Sequence, residues 1–505
     1  MPSVLYGATL IGVDAVRVSV EVDLLRRLPQ VVMVGLPAPA VRESADRVRS
    51  AIAASGFEFP RQRVVVALAP ADLRKEGTAF DLPIAIGILL EAGQVRSDRA
   101  HRYMFVGELS LTGELRAVRG ALAFAWLAQS LGMAGIVVPA ACAPEAALVE
   151  GVEVRAAVTL AEVMRFLQGE LELPLGLPRA DSPPAFPADL RDIRGQFGAR
   201  EALEVAAAGG HNLLLEGPPG CGKTMLAGRL PTILPGMTSA EALECTRIHS
   251  VAGLHAPDAG ALSMRPFRAP HHSISAAGLI GGASLRPGEV TLAHNGVLFL
   301  DEFPEFPRSA REVLRGPLED RQVVLARATG RIVLPAGFAL VAAANPCPCG
   351  NLGHPTRPCV CPEGARERYR ARLSGPLIDR IDLRIELSPI RPSELLGQSD
   401  GESSAAVRTR VECARERQRR RYGGAVTCNA ELRAEQLRDA AGAESSALSL
   451  LQSHLEATSA SARVGGRLLK VARTIADLDG DPAVRRAHIA RAVGMRCDVG
   501  ERGVA

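Results

Sequence analysis

Apolar and polar positions alternate early in the chain in runs such as "VRVSVEVDLL", "QVVMVGL" and "RVVVALAP", the period-two signature of half-buried strands. Around them, "AVRESADRVRSAIAASG" and "DLPIAIGILLEAG" read as helices. Strands and helices interleaved in this way predict an α+β or α/β domain over residues 1–172. Residues 120–144 carry no formal charge over 25 positions, enough on length alone to cross a bilayer. Gln129, Ser130, Pro139 and many Ala and Gly leave that stretch only weakly apolar, so "ALAFAWLAQSLGMAG" and then "IVVPA" predict a buried helix followed by a buried strand. The pattern stops at residues 172–190, where five prolines interrupt any sustained period, and residues 173–190 read as a linker.

Beyond the linker the pattern changes to short unbroken apolar runs. "NLLLEG", "GVLFLDE" and "FALVAAAN" each end in a glycine, acid or amide, as strands of a parallel sheet buried on both faces do. "DRQVVLARATGRIVLPAGF" reads as a hairpin around Ala328, Thr329 and Gly330. This predicts an α/β domain over residues 191–392, then a helix-rich end over residues 393–505. That end starts with "AAVRTRVECARERQRRRYGG", which reads as a helix and holds seven arginines and two glutamates between Val407 and Gly424. Such a run reads first as a solvated, salt-bridge-laced face, with direct DNA contact the rarer alternative.

A chain of 505 residues has room for several cores, and 47% hydrophobic with 23% charged residues is ordinary globular composition. The formal charge of +4 permits a local nucleic-acid contact without arguing for one. The N-terminal stretch has no basic region ahead of an apolar core and reaches Asp14 early, so a cytoplasmic protein without a membrane partner is expected. In a reducing compartment clustered cysteines point to metal or catalysis rather than disulfides. Four of the ten cysteines fall within "NPCPCGNLGHPTRPCVC", as Cys347, Cys349, Cys359 and Cys361. Their loop is too poor in apolar residues for its own core, and two close pairs of thiolates suit a closed tetrahedral Zn²⁺ site. Free thiols and redox chemistry are the alternatives, and His354 reads as a bystander.

The most specific local signal is "LLLEGPPGCGKTMLAGRL", a strand, a Gly217-x-x-x-x-Gly222-Lys223-Thr224 loop and a helix. In a P-loop of this kind the loop of Gly217, Pro218, Pro219, Gly220, Cys221 and Gly222 surrounds the phosphates, its glycines letting the N–H groups of the non-proline residues turn inward. Lys223 reaches the β and γ phosphates of ATP, and Thr224 ligates Mg²⁺. Asp301 and Glu302 end the next buried strand and match a Walker B pair. Asp301 would hold the Mg²⁺ through water, and Glu302 would orient or deprotonate the attacking water. Asn345 ends a third strand where the γ phosphate would lie, or caps a turn.

Taken in order, "RGQFGAREALEVAAAGGHNLLLEGPPGCGKT", "FRAPHHSIS", "PGEVTLAHNGVLFLDE", "NPCPCG" and "SGPLIDRIDL" resemble the Mg-chelatase-like ComM/YifB family of AAA+ ATPases, over residues 5–497. The resemblance implies an α/β chain with an N-terminal domain of Lon-protease fold (S5-type), a central AAA+ domain and a C-terminal helical lid. It implies Asn345 as sensor 1, Arg380 as the arginine finger given to a neighbouring subunit, Arg463 as the sensor 2 arginine, and Gln196 beside the adenine. A finger supplied in trans implies a ring, expected to be a hexamer. Relatives carry a pore-facing insert at the predicted hairpin, so Arg327 and Arg331 are candidate DNA contacts, or simply exposed arginines. "RAPHHSISAAGLIGGASLRPGE" resembles the other pore-side insert, leaving His271 and His272 as metal ligands, DNA contacts or turn residues. In an active Lon-type peptidase a lysine and a serine would occupy the positions that here hold Leu122 and Ala79, or Phe80 on a one-residue slip. Peptidase activity is therefore not expected. The implied function is ATP-driven DNA translocation or branch migration in recombination of imported DNA. The rivals are a magnesium-chelatase-like metal-insertion motor, against which the want of an integrin-like segment counts, and a protein-remodelling chaperone.

Overall fold

The computed structural model describes residues 3–179, 186–282, 285–327, 330–354, 356–373, 377–389, 401–424, 426–433, 436–437 and 441–496. The hairpin tip at Ala328 and Thr329, the Arg327 side chain and the expected boundary at residues 392 and 393 lie outside them.

Alternation in the first 70 residues does give strands. β1 (Ser3–Ile11) and β2 (Asp14–Leu25) pair antiparallel, while β3 (Gln30–Val34) runs parallel to β4 (Arg63–Ala69), whose other edge meets β2 antiparallel. β5 (Tyr103–Phe105) leads into a two-stranded side hairpin of β6 (Glu108–Leu109) and β7 (Leu115–Arg116). β8 (Gly135–Pro139) and β9 (Glu153–Ala157) then complete a mixed sheet ordered β3-β4-β2-β1-β5-β8-β9. The uncharged stretch resolves as expected into the helix Ala121–Ser130 followed by β8, whose five residues are all buried. Among the described residues no helix is long and apolar enough to cross a membrane.

The second region is an α/β unit around a wholly parallel sheet. β10 (Leu213–Glu216), β11 (Phe267–Arg268), β12 (Val297–Leu300), the hairpin strands β13 (Gln322–Arg327) and β14 (Gly330–Pro335), β15 (Ala339–Ala344) and β16 (Leu383–Glu386) follow in sequence. Five of them form the order β11-β12-β15-β10-β16. Because successive side chains point to opposite faces, each apolar run feeds two cores at once. Leu213, Leu215, Val297, Phe299, Val341 and Ala343 enter one cluster, beneath the helices Phe197–Gly209 and Lys223–Ile233 and the C-terminal helices. Leu214, Leu298, Leu300, Leu340, Ala342 and Ala344 enter the other. The first strand thus lies between the fourth and the last, and the carboxyl ends of β10, β12 and β15 share one edge. Ligands bind at such an edge in open parallel sheets.

The arginine-rich run forms the helix Ser404–Tyr422, but it is not a solvated face. Val407, Val411, Ala414 and Gln418 recur at spacings of four, three and four and are buried. Five of the seven arginines reach inward. Arg410 pairs with Glu204 and Glu402, and Arg421 pairs with the buried Asp477. Arg408, Arg415 and Arg417 donate to the carbonyls of Thr232, Ala207 and Asp477. Arg419 and Arg420, both on Glu416, match the surface reading, and Arg417, whose head reaches the Asp477 carbonyl, is itself exposed. The sequence pattern misleads because long arginine stems bury their methylenes while their heads find acids and carbonyls in other elements.

Candidate active site

β10 is apolar up to its last residue, Glu216, and stops where the chain must turn back sharply. Gly217 is required by space, since a Cβ there would meet the Leu387 carbonyl oxygen at 2.7 Å and Cys221 Sγ at 2.9 Å. Gly222 is required by conformation, with φ +94° immediately before the helix. The helix Lys223–Ile233 therefore starts with its free N–H groups aimed into the loop. Lys223 Nζ donates to the carbonyls of Gly217 at 2.6 Å and Pro218 at 3.0 Å, and to Asn345 Oδ1 at 3.0 Å. Burial pushes its pKa down, opposed by Cys221, Asp301 and Glu302. Thr224 Oγ1 donates to Asp301 Oδ2 at 2.8 Å, and Asp301 Oδ1 accepts the Glu302 N–H at 2.9 Å. A hydroxyl and a carboxylate touching beside an ammonium are a donor set that fits Mg²⁺ on a phosphate chain. Gln196, at φ +51°, donates from Nε2 to the carbonyls of Cys221 at 3.2 Å and Ser388 at 2.8 Å, tying the loop to the segment after β16.

Thr224 and Asp301, 77 positions apart, and Lys223 and Asn345, 122 apart, are thus gathered at one strand edge, but two of the expected residues are elsewhere. Arg380 sits in a short turn, Ile378–Arg380, with its guanidinium on Glu319 and its carbonyl accepting from Asn212 Nδ2. It lines a separate polar cavity of about 910 Å³ with Asp382, Arg467 and Lys470, and no P-loop residue is in that lining. Arg463 is exposed in the first turn of the helix Ala462–Asp479, the helix that sends Arg467 into the same cavity. Arg331 is exposed on β14, opposite Ala326.

Sequence reasoning left His272 unresolved. Its Nδ1 lies 3.1 Å from Glu302 Oε2, its ring stacks on His271 at 4.1 Å, and it meets Phe306 edge-on at 6.5 Å. The "PHHS" motif was the available signal, but its partner is 30 positions away.

Among the described residues the one group of His, Cys, Asp or Glu donors close enough to share an ion is Cys347, Cys349, Cys359 and Cys361, with all four Sγ atoms within 4.8 Å of one another. Three Sγ–Sγ separations are 3.4, 3.6 and 3.6 Å. A tetrahedron with Zn–S bonds of about 2.3 Å has edges of about 3.8 Å, so the cluster fits zinc. The N–H groups of Cys349 and Leu352 donate to the sulfurs of Cys361 and Cys347 at 3.3 Å each. Backbone N–H groups of Asn351 and Val360 hold the Cys349 thiol down at about 6. His354 caps its own turn, accepting from Thr356 and Arg357 at 3.2 and 3.1 Å.

In the N-terminal region Ala79 and Leu122 are buried in one apolar cluster, and Phe80 is buried in the next. Carbon fills the positions that a peptidase dyad would need.

Family models described as "Magnesium chelatase, subunit ChlI", "Subunit ChlI of Mg-chelatase" and "Magnesium chelatase, subunit ChlI C-terminal" match residues 189–395, 20–142 and 401–496. The chain is 43% identical to an uncharacterized protein YifB of Escherichia coli K12 over 498 residues, 98% of this chain and 97% of that one. It is 43% identical to the competence protein ComM of Haemophilus influenzae over 504 residues, 98% of each. A Holliday junction branch migration complex subunit RuvB of a Parafrankia species is 28% identical over 232 residues, 44% of this chain and 53% of that one. With a parallel nucleotide-type sheet, a P-loop at its edge and likeness over nearly its whole length, the chain is an AAA+ ATPase and belongs to the Mg-chelatase-like ComM/YifB family.

Proposed function

We propose that the protein is a cytoplasmic, ring-forming motor, a hexamer, that hydrolyses ATP to move DNA and acts in branch migration during recombination of imported DNA. The observation that carries the reading is the separation of parts. Lys223, Thr224, Asp301 and Asn345 meet at one strand edge, while Arg380 opens on a different cavity, where a second copy can present its nucleotide. A chain that grips phosphates on one face and offers a cation on another needs a neighbour, and a repeated head-to-tail contact closes into a ring. The names of two relatives, a competence protein and a branch migration subunit, support DNA as the substrate.

In this reading residues 1–172 form a Lon-like module without peptidase chemistry, 173–190 a linker, 191–392 the ATPase and 393–505 the lid. Thr224 and Asp301 would hold Mg²⁺, which when bound would supply positive charge to the phosphate chain. Lys223 stabilises the β and γ phosphates, and the loop from Gly217 to Gly222 cradles them. Gln196 lies beside the base. Glu302 takes a proton from the attacking water, and Asn345, on Lys223, senses the γ phosphate. Arg380 acts as the arginine finger on the ATP of the adjacent copy, and Arg463 is the sensor 2 arginine. The four cysteines would hold Zn²⁺, which would staple the loop between Asn345 and the Arg380 turn, and Arg327 and Arg331 touch the DNA backbone.

The test is branch migration on a synthetic four-way junction. Wild type converts the junction with ATP. Lys223→Ala loses ATPase by about 10²-fold or more and loses migration. Arg327→Ala keeps ATPase and loses migration. The chelatase name of the matching models favours a second reading, metal insertion into a porphyrin. ATPase stimulated by porphyrin or a chelatase partner, with no response to branched or single-stranded DNA and no migration, would establish that reading instead. Stimulation by protein alone would point to remodelling.

A further inference from the structure

Four arginines converge on a cavity that the nucleotide site does not use. It encloses about 330 Å³ and is lined by Arg308, Arg311, Arg315 and Arg372, with Glu312 the one carboxylate in its lining. Its apolar wall comes from Phe303, next after Glu302, and from Leu377 and Ile378, on the turn that bears Arg380.

The compensation of these charges is uneven. Arg308 Nε is 2.8 Å from Glu312 Oε1, and Arg372 Nη1 is 3.3 Å from Glu305 Oε2. Arg311 is anchored differently. Its Nε donates to the Phe306 carbonyl at 3.2 Å, its Nη1 donates to the Arg372 carbonyl, and its guanidinium lies 5.9 Å from the centre of the Phe303 ring. Carbonyls orient a cation but do not cancel its charge. Burial, followed by repulsion from Arg372 and Arg308, pushes the Arg311 pKa down, with Glu312 and Glu305 opposing. Arg315, exposed at the start of its helix, adds a fourth positive group to the rim. Arginines crowded together at this cost imply an anion that relieves it, and planar guanidinium forks match the oxygens of a tetrahedral phosphate.

We propose that this cavity is a second phosphate-binding site, separate from the P-loop. It takes one phosphate group, with Arg311 as the fixed donor and Arg315, Arg308 and Arg372 closing around the remaining oxygens. Two sources offer that chemistry: the backbone of a nucleic acid, and a nucleotide carried by a second copy of this chain. The site's existence does not depend on the ring reading.

The probe is inorganic phosphate, titrated calorimetrically into full-length Lys223→Ala, in which the P-loop is disabled. One phosphate per chain is expected to bind. Adding Arg311→Met weakens it at least about tenfold, the loss expected for charged hydrogen bonds. Arg315→Gln, at an exposed position where folding is not at stake, weakens it by roughly threefold on the same basis. No phosphate binding by Lys223→Ala, or equal binding with both added substitutions, overturns the proposal. The source is then read in an otherwise wild-type chain carrying Arg315→Gln. Weaker duplex binding, with a salt slope smaller by about one, identifies the nucleic-acid backbone. Unchanged duplex binding with a raised KM for ATP identifies the nucleotide of a second copy.

Discussion

Glu302 holds a left-handed backbone conformation, φ +52°, and its Oε2 is 3.1 Å from His272 Nδ1. A non-glycine residue in that region costs on the order of 1 kcal/mol, and such strain gathers where a side chain must be aimed. The carboxylate is aimed at the insert that follows β11, while its neighbour Asp301 faces Thr224. That contact fixes where the carboxylate points, so His272 restrains the residue proposed to activate water. His272→Ala is expected to raise ATP turnover without DNA by roughly threefold to tenfold, the worth of one charge-assisted bond, with KM unchanged. His272→Asn, which keeps a donor near the Nδ1 position, should stay near wild type. Steady-state ATPase assays decide this, and an unchanged or lowered turnover in His272→Ala would show that the contact restrains nothing.

Elements were legible where their signal is local. The strand, loop and helix around Lys223 stand in one stretch, and so do the β12 end at Asp301 and the β15 end at Asn345, because a strand buried on both faces announces itself as an unbroken apolar run. β11 has two residues and no period, so the insert that carries His272 had no visible anchor. The helix Ser404–Tyr422 was legible as a helix, yet the inward turn of its arginines depends on Glu204, Asp477 and carbonyls of other elements. The Arg311 cavity likewise joins residues of the helices Arg308–Glu312 and Arg315–Asp320 to Arg372, more than fifty positions on in the helix Glu363–Arg372, and nothing in one run reports the other. The cysteine loop was legible in composition, and the close approach of four sulfurs agrees with the zinc expectation. Because metal binding free energy is folding free energy in such a loop, purified protein is expected to carry about one zinc per chain. Chelation under reducing conditions should lower the melting temperature, and Cys359→Ser should do the same. Metal analysis finding far less than one zinc per chain contradicts the assignment.

Across the whole molecule, the N-terminal region is docked on the ATPase region rather than merely tethered. Gly120 N donates to Ser250 Oγ at 2.9 Å, and Glu145 Oε1 accepts from Ser250 Oγ at 2.5 Å and from Leu122 N at 2.8 Å. Burial pushes the Glu145 pKa up, which the bonds from Ser250 and Leu122 oppose. Beside this contact Arg247 pairs with Asp14 at 2.5 Å and lies over Trp126 at 5.1 Å. Ser250 and Arg247 belong to the helix Ser239–Ala252, so the N-terminal region is fixed to the ATPase core through that helix. On the opposite side of the account stands Arg380, on a cavity that no P-loop residue lines. If nucleotide is held by one copy and triggered by the next, two crippled chains must be able to rescue each other. Lys223→Ala is expected to hydrolyse ATP at least about 10²-fold more slowly than wild type, and Arg380→Ala at least about 10³-fold more slowly. In an equal mixture, random head-to-tail assembly gives about a quarter of the sites an intact Lys223 facing an intact Arg380. The ATPase rate of that mixture is the measurement to make: recovery toward a quarter of the wild-type rate is expected, and a mixture as inactive as its components, or full activity of Arg380→Ala alone, would contradict a site shared between copies.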